Sequence, residues 1–575
     1  MVALALSELV TRRIPWVTVP GAGPLVQHLV LFVGWLGAAV AAREGRLLAL
    51  ATGDFLPPRL RHAAAVFAAA FGAAVATLLA RAGWDLMESE RAGGGEIAVG
   101  IPVWVALAVL PWAFAAIALR LVWRASDAAS GRALAALGVV GALLLGAHPE
   151  WVEGAPALAG LAVVVLGTAL GAPLFAGLGG AALWLFLVDG TSIAAVPAET
   201  YRLAVSPTLP SIPLFTLAGC LLAEGKSALR LLEVFRATVG WVPGGTAVVV
   251  AALCAFFTTF TGGSGVTILA LGALLYQALR AQGYPESFSL GLITSAGSLG
   301  LLFPPAVPLV FYGIVASIPI PELFVAGLLP GALAVTATAV WGIREGRKVE
   351  REAPAFSLAR LGRAAWEAKW ELALPGVVLL VLFSGWATVV ESSAVAALFA
   401  GWIVFGANRD IPLARAPKVL LDATLLVGGV LVILGVANGL SSYLVDAQVP
   451  SRLLEWTQSN LDTKLAFLLV LNLFLLVVGC LMDIFSAIAV VVPLIAPLGL
   501  AFGIDPVHLG IVFIANLELG FLTPPVGVNL FLASYRFDRP LLEVTRAVLP
   551  WLALRAVIVL LITYVPFLTL AFLDR

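Results

Sequence analysis

The sequence predicts an all-α, polytopic membrane protein, and three observations carry the prediction. The 575 residues are 61% hydrophobic and only 11% charged, against about 45–50% and roughly 25% in a soluble chain. Mean hydropathy is +1.05. Apolar stretches near the length of a spanning helix, about 20 residues, recur from one end to the other. A soluble enzyme is excluded first.

Charge and reactive residues narrow the function further. Lys and Arg number 33 against 33 Asp and Glu, a net charge of +0. No basic surplus points to nucleic acid, and no Gly-rich loop ends in Gly-Lys-Ser/Thr to hold a nucleotide. Cys220, Cys254 and Cys480 each sit inside an apolar run with no metal spacing and no paired framework, and read as small packing residues. The histidines His28, His62, His148 and His508 are scattered. With no nucleophile–base pair and no ligand cluster, the chain is not predicted to be an enzyme, and no catalytic residue is assigned.

The opening MVALALSELVTRR places its charge after a short apolar run and lacks a small-residue cleavage site. It reads as the end of a helix whose beginning is missing, not as a signal peptide. Spans are then predicted over 25–42, 62–82, 97–123 and 132–148. HPEWVEG (148–154) is a natural seam. Beyond it lie 156–188 (long enough for two short spans), 211–223, 244–280, 287–303, 306–341, 374–388, 391–406, 419–440, 464–480, 484–501, 506–535 and 548–572. Loop charges set the sidedness. Arg43, Arg46, Arg59 and Arg61 mark a cytoplasmic loop. Asp85, Glu88, Glu90 and Glu96 mark an outer one. Arg120, Arg124 and Arg132 return to the cytoplasm, and Glu150 and Glu153 lie outside. Trp341 to Glu371 reads as the longest polar loop. Its Arg344, Arg347, Lys348, Arg351, Arg360, Arg363 and Lys369 outnumber five acidic residues, which makes it cytoplasmic. Trp35, Trp84, Trp104, Trp112, Trp123 and Trp151 suit interfacial belts, though any one of them equally suits plain lipid contact.

Within the later spans the sequence repeats. SLGLLFPPAVPLVF (298–311) lies on ELGFLTPPVGVNLF (518–531) at an offset of 220 residues. Leu299/Leu519, Gly300/Gly520, Leu302/Leu522, Pro304/Pro524, Pro305/Pro525 and Phe311/Phe531 are identical. An offset one residue shorter lays FTGGSGVTILALG (260–272) on GCLMDIFSAIAVV (479–491). A Pro-Pro pair removes two backbone donors and clashes with the preceding turn, so a helix cannot run through it. The freed carbonyls must be buried in protein or bind something. Paired interruptions at matching places in two halves point to a transporter's midplane site. There, bared carbonyls suit sodium, and helix N-termini suit an anionic substrate. The competing reading of each break is a packing kink.

Polar residues gather at these places. Thr261, Ser264 and Thr267 lie on a Gly-rich tip (Gly262, Gly263, Gly265) predicted to form a re-entrant hairpin. Ser295 and Ser298 precede the first Pro-Pro. Asp483 and Ser486 open a second hairpin. Asn516, Glu518, Thr523 and Asn529 surround the second Pro-Pro. Intramembrane ionisable groups are functional candidates. A Ser or Thr, however, more often bonds its own helix, Asp483 equally suits an interfacial position, and Glu391 suits a helix N-terminus.

IPLFTLAG (212–219), GYPESFSLGLITSAGSLGLLFPPAVPLVFYG (283–313), AGLLPG (326–331), GIDPVHLGIVFIANLELGFLTPPVGVNLFLAS (503–534) and ITYVP (562–566) resemble the large membrane subunit of tripartite ATP-independent periplasmic (TRAP) transporters. WLGAAVAAREGRLLAL (35–50) resembles the apolar-helix-then-REGR pattern of the small membrane subunit. The resemblance implies three parts: a small-subunit-like scaffold over 1–130 with its opening helix truncated, a connecting transmembrane helix and seam over 131–154, and a large-subunit-like transport domain with its scaffold over 155–575. The loop charges require that connecting span, since the first part ends in the cytoplasm and the last begins outside.

What the resemblance implies is an elevator-type, sodium-coupled secondary importer in the bacterial inner membrane, with inverted repeats, two re-entrant hairpins and two broken helices in the lipid bilayer. A periplasmic substrate-binding protein would deliver a small organic anion, typically a carboxylate. Substrate contacts would fall to Thr261, Ser264, Thr267, Ser298, Asn516 and Asn529. Sodium would be held by Thr261, Gly262, Gly263, Ser295, Gly300, Pro304, Asp483, Ser486, Gly520, Thr523, Pro524 and Gly527. The chain departs from the family where a Ser-Gly-Ser tip with a following Asp reads Thr261-Gly262-Gly263 with Thr267. It departs again where Thr-Pro-Thr-Glu reads Thr388-Val389-Val390-Glu391. Hydroxyl and backbone oxygens still suit a hard cation. The alternative is an ion-coupled anion transporter or exchanger that needs no binding protein.

Overall fold

A computed structural model describes residues 1–13, 19–49, 57–349, 355–461, 463–524 and 527–573. Pro525 of the second doublet and Arg351 of the basic segment lie outside them. Among the described residues, 11 helices are long and apolar enough to cross a membrane, or up to 12 if one bent pair is counted as a single span. The protein is a multi-pass membrane protein.

The N-terminal helices are α1 (Val2–Arg13), α2 (Ala22–Leu31), α3 (Gly37–Glu44), α4 (Pro58–Gly93), α5 (Val103–Leu107), α6 (Val109–Arg124) and α7 (Ala129–Ala147). A π-helical turn, Phe32–Leu36, joins α2 to α3. The predicted span 97–123 is corrected at its start. Glu96–Ala98 and Ile101–Pro102 pair as a small antiparallel hairpin, and helix begins only at Val103. Gly100 turns with φ +77° and Pro102 has no N–H, so this segment cannot be helical.

The stretch 156–188 forms two helices, α8 (Ala157–Ala169) and α9 (Leu174–Val188), followed by α10 (Ala195–Ala204). Then come α11 (Ser211–Glu224), α12 (Ser227–Val239), α13 (Gly245–Thr261), α14 (Ser264–Ala281), α15 (Glu286–Ala296), α16 (Val307–Ala316) and α17 (Ile320–Gly346). The pair α11–α12 bends by 75°. The predicted single span 306–341 is interrupted between α16 and α17, where Ser317 is left-handed at φ +56° and Pro319 follows.

Next come α18 (Leu358–Glu367), α19 (Lys369–Phe383), α20 (Val389–Gly401), α21 (Ala416–Asp446), α22 (Val449–Asn460), α23 (Lys464–Leu481), α24 (Ile484–Ala501), α25 (Pro506–Gly520), α26 (Val528–Phe537), α27 (Leu541–Tyr564) and α28 (Phe567–Leu570). The predicted polar loop Trp341–Glu371 is corrected too. α17 runs on to Gly346, and α18 is an amphipathic helix inside it, N-capped by Ser357, whose hydroxyl accepts from Arg360 N. Leu358 and Trp366 of α18 are exposed, as suits a helix lying along an interface.

The repeat seen in the sequence is physical. α13 ends at Thr261 and α14 begins at Ser264, while α23 ends at Leu481 and α24 begins at Ile484, 220 residues on. Ala281 and Ala501 close the second arms at the same offset, and Glu286 and Pro506 open α15 and α25. Even the tight contacts recur. A Cβ on Gly300 would lie 2.2 Å from Ala255 O and 2.5 Å from Thr259 N, and one on Gly520 would lie 2.5 Å from Gly479, the counterpart of Thr259.

The N-terminal helices dock on the long helix α21 through small residues. A Cβ on Gly428 would lie 2.3 Å from Ala38 N, and one on Gly37 would lie 2.5 Å from Thr424 O. This is the close backbone approach that drives helix association where no hydrophobic force acts. At one end of the protein Arg230 ties α12 to α19 and to the loop after α20. Its Nε donates to Glu371 Oε1 at 2.6 Å, and Nη1 and Nη2 donate to the two Asp410 oxygens at 2.8 and 2.6 Å. Burial opposes the Asp410 charge. The Arg230 bonds and the Lys226 backbone N–H outweigh it and hold the loop carboxyl below its usual range. Glu391 settles as a helix-start carboxylate, completing a capping box with Thr388.

Candidate transport site

Two helical hairpins and two interrupted helices frame the site. In the first hairpin α13 stops because Gly262 adopts φ +67°, and its N–H closes on Thr258 O at 2.9 Å. Gly263 is extended, and α14 begins at once. In the partner break α15 stops at Ala296 and helix resumes at Val307. Between them Leu299, Leu301, Phe303 and Ala306 donate to Ala296, Ser298, Gly300 and Phe303 in successive turns. Pro304–Pro305 sits in this stretch, as the missing donors demand.

Oxygens collect where the first hairpin meets that break. Thr258 Oγ1 lies 2.7 Å from Thr267 Oγ1 and donates to Gly297 O at 2.7 Å. Thr259 Oγ1 lies 3.2 Å from Gly300 O. Thr261 Oγ1 lies 3.4 Å from both Gly263 O and Thr267 Oγ1. All of these residues except Gly263 are buried. Neutral hydroxyl and carbonyl oxygens are the donor set of a hard cation, so the residues present fit sodium.

The second half is built differently. Asp483 N-caps α24, accepting from Phe485 N at 3.0 Å, Ser486 N at 3.2 Å and the Ser486 hydroxyl. α25 ends at Gly520 and α26 begins at Val528. Thr523 Oγ1 bonds back to Leu519 O at 2.9 Å, Thr523 N to Gly520 O at 2.9 Å, and Gly527 N reaches Cys480 O beside the second tip at 3.0 Å. Pro524 lies in this turn.

One side chain joins the halves. Asn529, fully buried, accepts from Ser264 Oγ at 2.6 Å and has its Nδ2 3.4 Å from Thr294 O. The first tip, the end of α15 and the second break therefore meet. Against them lies a cavity of about 320 Å³ lined by both tips (Gly262 to Val266, Asp483 to Phe485), the second break (Phe521, Val528), α21 (Leu425, Leu426, Gly429, Val430), and Arg46 and Leu48.

The predicted residues thus divide. Gly262, Gly263, Ser264 and Asp483 line the cavity. Thr261, Thr267 and Gly300 belong to the oxygen cluster. Ser295, in the last turn of α15, and Ser298, in the first break, are buried and bonded to Leu292 O and Ser295 O. Asn516 faces away, toward α23, donating to Asn472 Oδ1 at 2.7 Å and Val512 O at 2.8 Å. Gly520 packs on Gly479. Glu518 is buried with Arg555, 3.7 Å away, and Arg555 also reaches Ser295 O at 3.3 Å. Sequence reasoning missed Thr258, Thr259, Asn472 and Arg555. Thr258-Thr259 at the foot of the Gly-rich tip was the one local signal.

Comparison with known proteins identifies the family. Residues 161–568 match the family model "Tripartite ATP-independent periplasmic transporter, DctM component", and residues 1–131 match that of the DctQ component. The C4-dicarboxylate TRAP transporter large permease protein DctM of Pseudomonas aeruginosa is 33% identical over 69% of this chain and 92% of its own length. The isethionate TRAP transporter permease protein DctMQ of Oleidesulfovibrio alaskensis is 31% identical over 83% of this chain and 76% of its own. The DctM of Vibrio cholerae is 32% identical over 72% of this chain and 96% of its own. The chain belongs to the TRAP transporter family, as a permease with the DctQ and DctM components fused.

Proposed function

We propose that the chain is a sodium-coupled secondary importer of a small organic anion, a carboxylate or sulfonate, in the bacterial inner membrane. A periplasmic substrate-binding protein delivers the anion. Sodium travels as co-substrate, and Thr258, Thr261, Thr267 and the Gly297 and Gly300 carbonyls supply oxygens for it. The tips at Gly262–Ser264 and Asp483 form the floor on which the anion rests.

The observation that carries this reading is the meeting of both hairpin tips with the second break around one cavity, whose opposite wall is α21. A core of hairpins and breaks can slide past such a wall, with α21 and the N-terminal helices as the stationary part of an elevator. Coupling follows from linkage. Sodium orders the junction between tip and break, the anion then meets a formed site, and each raises the other's affinity by the same factor.

The test is uptake by proteoliposomes holding the purified chain, with and without a periplasmic substrate-binding protein from the same organism, and with and without an inward sodium gradient. Uptake requiring both supports the proposal. Uptake with the binding protein omitted favours an independent exchanger, and uptake indifferent to Na⁺ removes the coupling.

A further inference from the structure

Arg46 belongs to the N-terminal, DctQ-like part, yet it borders the cavity formed by the DctM-like hairpins. Its position is fixed by the end of α3. Gly45 takes φ +70°, and the Arg46 N–H closes on Ala41 O at 2.8 Å. In this helix ending the residue after the left-handed glycine usually makes a hydrophobic contact; here it is an arginine. The backbone on either side is pinned as well. Arg124 Nη1 donates to Arg43 O at 2.7 Å, and Leu174 N donates to Leu48 O at 2.8 Å. The Arg46 side chain, 62% exposed, places Nη1 3.1 Å from Asp422 Oδ1 of α21.

Among the described lining residues, three side chains are polar: Arg46, Ser264 and Asp483. The Asp483 carboxylate is engaged by the N–H groups and hydroxyl of its own helix start. Arg46 is the sole cation among the described lining residues. A charge beside low-dielectric walls focuses its field into the cleft and concentrates ions of opposite sign. Its present partner is a solvated ion pair, which is weak and readily exchanged. The basic loop that carries it faces the cytoplasm by the positive-inside rule.

We propose that Arg46 is an anion-contacting residue at the cytoplasmic mouth of the transport cavity. It trades Asp422 for the carboxylate or sulfonate of the substrate, so that the DctQ-like part supplies a selectivity element and not scaffold alone. The inference rests on the proposed transport function for its meaning. Its test does not need the natural substrate.

A single cysteine at Val266, or in a second series at Leu269, reports the local ion preference through its reaction with two thiol reagents from the cytoplasmic side. One is the anionic methanethiosulfonate ethylsulfonate and the other its cationic trimethylammonium analogue. Protein without the added cysteine gives the background from Cys220, Cys254 and Cys480. Arg46→Gln is expected to lower the anion-to-cation rate ratio about fivefold. Arg46→Lys should restore it, and Asp422→Asn, which frees Arg46, should leave it unchanged or raise it. An unchanged ratio in Arg46→Gln overturns the inference. So does an equal fall in Asp422→Asn, which would mean that the pair only anchors the loop. Failure of sodium-driven uptake in the unmodified chain, with the reagent ratio behaving as expected, overturns the transport reading and leaves the anion contact standing.

Discussion

Removing the hydrogen bond between Ser264 and Asn529 should weaken sodium binding in a way that is not additive. The bond is 2.6 Å long, and both residues are buried, at 7% and 0% exposure. Ser264→Ala forfeits a bond worth about 0.5–1.5 kcal/mol net and leaves Asn529 Oδ1 without its donor, at a cost of about 1–3 kcal/mol. Asn529→Ala strands the Ser264 hydroxyl and removes the contact to Thr294 O. In the double variant neither orphan remains, so its total should fall short of the sum of the singles by about 1 kcal/mol or more. If sodium binding depends on this junction, each single variant raises the half-saturating sodium concentration about five- to tenfold, at roughly 1.4 kcal/mol per decade. The double should be little worse than the poorer single. The assay is initial uptake rate against sodium concentration in proteoliposomes at matched protein content, with thermal unfolding of the purified variants alongside. Strictly additive effects, or unchanged sodium dependence in both singles, would refute the claim that the tip and the break act as one unit.

Other outcomes follow from the same geometry. Asp483→Ala should lose about 1 kcal/mol of helix-start stability and lower sodium-dependent uptake. Asp483→Asn keeps a capping oxygen, so thermal stability should recover, and uptake recovers only if the charge is not used. Arg555→Met should destabilise by about 3–5 kcal/mol by leaving the Glu518 carboxylate buried alone, and adding Glu518→Gln should recover most of the loss, read as melting temperature. Gly300→Ala forces a Cβ to 2.2 Å from Ala255 O and should abolish folded protein in size-exclusion profiles, while Gly376→Ala, with nothing within 4 Å, should be neutral. The Asp410 carboxyl is held below its usual range, so its stabilisation is full above about pH 4, the unfolded value, and is lost as pH falls through the native one. The melting-temperature gap between wild type and Asp410→Asn should therefore be wide at neutral pH and close in acid.

The helical architecture was legible because a spanning helix leaves a long apolar run, and the internal repeat because both copies kept Leu-Gly and Pro-Pro in register. That register extends to the helix ends at Thr261 and Leu481. The small β-hairpin near Gly100 escaped because its mostly apolar strand residues look like the start of an apolar helix. α18 escaped because its charges hid a helical period that matters only at an interface. The oxygen cluster was half legible. Thr261 and Thr267 stood out beside the glycines, whereas a Thr such as Thr258 inside an apolar helix usually bonds its own backbone, and nothing local says that it reaches Gly297 instead. Arg230 with Glu371 and Asp410, and Glu518 with Arg555, were beyond reach for another reason. Such partners lie far apart in the chain, and charge alone does not reveal which carboxylate an arginine meets.

The central claim is that the hydroxyl and carbonyl oxygens between hairpin and break hold the driving ion. Equilibrium binding of ²²Na⁺ to the purified chain, compared with a Thr258→Val/Thr267→Val variant of matched melting temperature, tests it most directly. The account predicts saturable binding in wild type that weakens at least about tenfold in the variant. Wild-type protein without saturable binding, or a variant that binds as well, would contradict it.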